Sequence, residues 1–157
     1  MSKLKSFNLL VLIWLLFISC NDTTKDKAEE FLKSRYAKTI QALQSIDSSL
    51  IKSDLVVIIP NEGCGGCISN ATSYLTENIS DIKAKVAVVF TGIRDKKLFR
   101  LQVDKDFLKL ESVYIDEDNY FLDSDLSSVY PQMISLKNEE VTSIQTFDTG
   151  ILATLIN

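Results

Sequence analysis

The sequence predicts an α/β domain: a central mixed sheet with flanking helices, preceded by an N-terminal amphipathic helix. Three observations predict it. Residues 55–59 and 86–90 are apolar runs without alternation, the pattern of parallel strands buried on both faces. Between them, Ile68, Ala71, Tyr74, Leu75 and Ile79 recur at helical spacing. After Pro131, two strand-like segments flank the turn Lys137-Asn138-Glu139-Glu140, which adds an antiparallel hairpin.

The elements follow in chain order. Residues 1–20 start with Lys3 and Lys5, continue through an apolar stretch at 7–18 and end at Ser19-Cys20. About a dozen apolar residues fall short of the ~20 that cross a bilayer and suit a signal-peptide core. The ending Leu16-Phe17-Ile18-Ser19-Cys20 resembles a bacterial lipobox. That resemblance implies cleavage before Cys20, lipid on its sulfur and new amino group, and a membrane-anchored lipoprotein on the extracytoplasmic side of the cell envelope. Residues 20–27 then read as a polar tether. From 28 to 51, Ala28, Leu32, Tyr36, Ile40, Leu43, Ile46 and Leu50 form one apolar stripe of a long helix.

The first strand, 55–59, ends at Pro60, and Asn61-Glu62-Gly63 makes a turn before the helix at 68–79. The strand at 85–91 closes a βαβ unit. Residues 94–102 read as a helix with Arg94 and Arg100 on a solvated face, while 104–111 fit no single pattern. A short strand at 113–116 leads into the polar turn Asp116-Glu117-Asp118-Asn119. Residues 120–129 read as a short helix or irregular chain, with Tyr114, Tyr120 and Phe121 as candidate core. Pro131 precedes the hairpin strands at 132–136 and 141–147, and Asp148 or Thr149 caps a last helix whose Ile151, Leu152, Leu155 and Ile156 face the core.

Composition narrows the chemistry. The chain has 157 residues, 46% of them hydrophobic and 24% charged, which suits one domain with a real core. Its formal charge is −4, and loss of Lys3 and Lys5 with a leader would leave 15 basic against 21 acidic side chains. With no basic patch interleaved with aromatics, nucleic-acid binding is not expected. Histidine is absent, which removes imidazole-assisted nucleophiles and the usual mixed-ligand zinc and copper sites. Residue 68 is Ile, so the cysteine pair is not a c-type haem site, and three cysteines are too few for a four-thiolate cluster. No metal and no cofactor is expected.

What remains is Cys64-Gly65-Gly66-Cys67 at a strand-to-helix junction. With Cys20 lipidated, Cys64 and Cys67 can pair only with each other within one chain. A ring this small constrains the unfolded chain little, so redox chemistry explains the pair better than stabilisation does. Strand, Cys-x-x-Cys at a helix start, strand, then proline before an antiparallel hairpin and a last helix resemble the thioredoxin-like superfamily. The long interval between Cys67 and Pro131 is similar to the TlpA/ResA-type extracytoplasmic class, whose inserted helix and strand would correspond to 94–116.

The resemblance implies a thiol–disulfide oxidoreductase with Cys64 as the attacking thiol and Cys67 as the resolving thiol. It makes Pro131 a cis-proline beside the disulfide and Tyr130 a substrate-facing neighbour whose backbone pairs with an incoming extended peptide. Cis bonds make up only about 5–6% of X-Pro bonds, so this expectation comes from the family alone. Its partners would be protein thiols or disulfides of the envelope and a membrane redox partner. The motif departs from the family pattern in three ways: Glu62 and Gly63 stand where a Trp is usual, Gly65-Gly66 lacks the usual Pro, and no acid lies within 55–59. Glu62 is therefore the candidate proton acceptor. The departures also favour a second possibility, a non-enzymatic lipoprotein that binds a partner protein or peptide.

Overall fold

Five strands form one sheet in the order β3-β2-β1-β4-β5, with β1 at Leu55–Pro60, β2 at Val86–Thr91, β3 at Val113–Ile115, β4 at Gln132–Lys137 and β5 at Glu140–Thr146. β1, β2 and β3 run parallel, and β4 and β5 are antiparallel to their neighbours. The sheet is mixed, as the three apolar patterns require. In this computed structural model, residues 22–82 and 85–154 are described. Residues 1–20, on which the signal-peptide and lipobox expectations rest, and Leu155 and Ile156 lie outside the described residues.

β1 and β2 are buried at every position, which is why neither alternates. Their side chains point to two cores. Val56, Ile58, Ala87, Val89 and Ile134 face one, and Leu55, Val57, Ile59, Val88, Phe90 and Met133 face the other. The first core is closed by Ala42, Leu43, Leu50, Phe121 and Leu126, and the second by Leu75, Phe99, Phe107 and Leu152. In the second core, Phe99 and Phe107 meet Phe90 edge-on, with ring centroids 5.0 and 6.3 Å apart.

Helix α1 spans Asp22–Ile46, a 25-residue run with neither Gly nor Pro. It begins six residues before the expected start, so 22–27 is helix rather than loose tether. It ends earlier than 51 because Asp47 captures the amide of Ser49 at 2.7 Å, and Leu50–Lys52 continue as a 3-10 turn. The contacts divide the chain after Arg35. In the first unit, described from Asp22, residues 25–34 are exposed, including Ala28 and Leu32 of the predicted stripe. There Lys33 pairs with Glu29 at 2.8 Å, which lowers the Glu29 carboxyl and raises the Lys33 ammonium relative to their ordinary pKa values. In the second unit, from Tyr36 onward, the stripe does face a core: Ala42 and Leu43 are buried, with Tyr36, Ile40 and Ile46 packed beside them.

Helix α2 spans Gly65–Asn78, helix α3 Lys96–Gln102 and helix α4 Thr149–Ala153. Asp95 caps α3 by accepting from the amides of Lys97 and Leu98, and Asp148 caps α4 through Gly150. The segment at 104–111 is a 3-10 turn, Phe107–Lys109, which buries Phe107 and is held by Asp104 accepting from the amides of Asp106 and Phe107. The hairpin turns through Asn138 and Glu139, both with positive φ, which is the two-residue geometry that matches strand twist.

Candidate functional site

The cysteine pair sits where β1 ends and α2 begins, at the carboxyl end of the parallel strands, where open α/β sheets present their crevice. Cys64 is the N-cap of α2 with an extended backbone, and Cys67 lies in the first turn. The two form a disulfide with a Cα–Cα separation of 5.2 Å, and both residues are partly exposed. Gly65, Gly66 and Cys67 open the helix, so their amides have no intrahelical carbonyl to bond. No acidic side chain occupies that turn and Cys64 makes no side-chain cap. A thiolate at Cys64 would therefore meet unspent N–H groups and the positive end of a 14-residue helix.

The loop before the motif is held by two backbone bonds. Asn61 donates to the carbonyl of Thr91 at 2.9 Å, and Cys64 donates to the carbonyl of Val129 at 2.8 Å. Between them Gly63 has φ +145°, and a Cβ there would lie 2.3 Å from the Val129 oxygen. Only glycine fits that approach. Gly63 is thus a site residue that its role as a mere turn former concealed, because the chain it touches is more than sixty positions away. The motif glycines are the opposite case: a Cβ on Gly65 or Gly66 meets nothing within 4 Å. Among the described residues nothing requires Gly at either position, and both are exposed.

The other predicted site residues separate. Pro131 is buried at the start of β4, and its carbonyl accepts from Phe147 at 2.9 Å. The described residues contain no cis peptide bond, so Tyr130-Pro131 is trans and not the cis bond the family resemblance implies. Trans is also the intrinsic preference of X-Pro, by about 0.5–1 kcal/mol. Tyr130 is 47% exposed, and its amide is already committed, donating to the Ser128 hydroxyl at 3.0 Å. The segment before Pro131 does reach the motif, but through Val129. Glu62 is exposed and pairs at 3.2 Å with Arg94, which lies on the solvated surface as expected and takes part there in an ion pair.

The buried acid of this end of the sheet is Asp116, 1% exposed, just past β3. Its carboxylate accepts from the Thr91 hydroxyl at 2.7 Å and from the amides of Tyr120 and Phe121 at 3.0 Å. Every side of it is used to tie the turn together, which is the mark of a structural cap. Of the aromatics expected in the core, Phe121 is there, Tyr120 is exposed, and Tyr114 is half-buried with its hydroxyl 2.9 Å from that of Ser49.

A cavity of about 410 Å³ opens beside the disulfide, between α2 and α3. Ile59, Phe90 and Phe99 are buried at its floor, and Gly65, next to Cys64 in the chain, is on its edge. Among the described residues, no group of three or more His, Cys, Asp or Glu is placed to hold a metal ion, and no helix is long and apolar enough to cross a membrane. In comparisons with known proteins, no family model and no curated protein matches this chain.

Proposed function

We propose that this protein is a thiol–disulfide oxidoreductase of thioredoxin-like fold, working at Cys64 and Cys67. The observation that carries the reading is the disulfide itself, formed within one turn of a helix N-terminus and partly open to solvent. The strand order β3-β2-β1-β4-β5, with the pair following β1 and a proline opening β4, supports the fold assignment. In the reduced form, Cys64 thiolate attacks one sulfur of a substrate disulfide. A mixed disulfide forms and the first substrate thiolate leaves. Cys67, as thiolate, then attacks the Cys64 sulfur, the ring closes, and the second substrate thiolate departs. Two electrons pass from the dithiol to the substrate; run backwards, the same steps oxidise substrate thiols. Glu62 is the carboxylate nearest in sequence to accept the Cys67 proton. Residues 1–20 support a lipid anchor at Cys20 on the outer side of a bacterial membrane, with envelope thiols and a membrane redox partner as its counterparts.

Two measurements test this. Equilibrating the protein in graded dithiol buffers should give a reversible two-electron transition of Cys64 and Cys67. The variant Cys67→Ser, incubated with envelope extract, should hold partners as mixed disulfides on Cys64. If the pair neither cycles nor traps a partner, the enzyme reading fails. Cys20→Ser should release the protein from the membrane, and persistent attachment would overturn the lipid anchor alone.

A further inference from the structure

We propose that the cavity between α2 and α3 is a specificity pocket that receives an uncharged apolar or aromatic side chain of the substrate polypeptide, next to the sulfur under attack. The inference rests on the oxidoreductase reading and names its substrate class. Three features point to that occupant. First, Gly65 is on the cavity's edge and follows Cys64 directly, so a chain held by a bond to the Cys64 sulfur has its neighbouring residues within reach of the opening. The exposed, unhindered faces of Gly65 and Gly66 leave that path open.

Second, no Asp, Glu, Lys or Arg is among the described residues that line the cavity. The protein has 38 charged residues of 157, and Glu62 in the motif's own turn pairs with Arg94 from the segment after β2, yet this wall is neutral. A charged side chain placed there would lose water and find no counter-charge. Third, the size and texture suit a side chain. About 410 Å³ lies in the range of small-ligand sites, with a floor of Phe90, Phe99 and Ile59 and a rim of Ser69, Ser73 and Gln102. Ile68 and Val103, partly exposed on the walls, offer dispersion contacts, and the rim offers neutral hydrogen-bonding groups for the peptide backbone that carries the side chain. The cavity lies against α3, and the segment before Pro131 contributes nothing to its lining.

The test uses the reduced full-length protein and short synthetic peptides carrying an exchangeable disulfide. One peptide has Phe beside the Cys and the other has Asp there. Exchange should be about tenfold faster, as kcat/KM, for the Phe peptide, the scale on which an apolar pocket discriminates. Ser73→Trp and, on the facing wall, Gln102→Trp should each remove that preference. Both should leave the reduction of the oxidised protein by dithiothreitol, which has no side chain to seat, unchanged; this also shows that the variants remain folded. Equal rates for the two peptides, or a preference that survives both pocket-filling variants, overturn the pocket and leave the oxidoreductase reading standing. A protein that exchanges with neither peptide nor dithiothreitol overturns both.

Discussion

Two loops leave the same end of the parallel strands and have opposite characters. The loop after β1 carries the disulfide, half-open to solvent, with helix amides unspent and two glycines facing empty space. The loop after β3 carries Asp116, fully enclosed, with its carboxylate accepting three hydrogen bonds. Both hold potential reactive groups, yet only one keeps bonding capacity in reserve. At this end of the sheet, saturation marks the support and unsatisfied capacity marks the candidate chemistry. The two loops meet at Val129, whose carbonyl takes the Cys64 amide.

Removing the Asp116 carboxylate should show the largest effect on the fold. Asp116→Ala strands the Thr91 hydroxyl and two amides, and should cost about 3 kcal/mol in urea unfolding. Were the variant as stable as the parent but slow in disulfide exchange, Asp116 would belong with the reactive loop and the contrast would collapse. Gly63→Ala comes next. Its backbone conformation and the Val129 oxygen both exclude a methyl group, and a loss of about 2 kcal/mol is expected. Gly65→Ala and Gly66→Ala should move the other way, gaining about 0.5 kcal/mol from helix propensity. A loss at either would mean that the open faces are not open.

The smallest effect concerns the anchor of the second loop, Lys38, which pairs with Asp125 and Asp123. The hydrogen bond that Lys38 donates to Asp125, with the charge of the nearby carboxylates, raises the Lys38 pKa above its usual 10.5. A raised ammonium adds stability that is complete below 10.5 and fades as pH climbs through the folded-state value. The small stability difference between the parent and Lys38→Met should therefore hold at neutral pH and disappear at strongly alkaline pH. A difference that persists there would point to packing by the lysine stem.

The order of strands and helices was legible because burial on two faces and helical spacing are both local patterns. The cysteine pair was legible because spacing and absence of histidine leave few alternatives. What escaped depends on distant neighbours. Gly63 looks like any turn glycine until the Val129 carbonyl is brought beside it. Asp116 sits in a run of acids that reads as solvated, and only the Thr91 hydroxyl from the adjacent strand end reveals that it is buried. Ala28 and Leu32 continue the α1 stripe in sequence but are exposed, because periodicity records which face is apolar and says nothing of where its cover stops.

The division of β1 between two cores has a consequence for how this chain can change. Val56 and Ile58 belong to one side and Leu55, Val57 and Ile59 to the other, so inserting or deleting one residue in the strand would exchange every tenant. It would also rotate the strand's exit by half a turn, and with it the direction in which the first residue of α2 emerges. Substitutions that keep bulk are tolerable along this strand; changes of length are not. The strand thus works as a ruler, and the address of Cys64 is counted off along it.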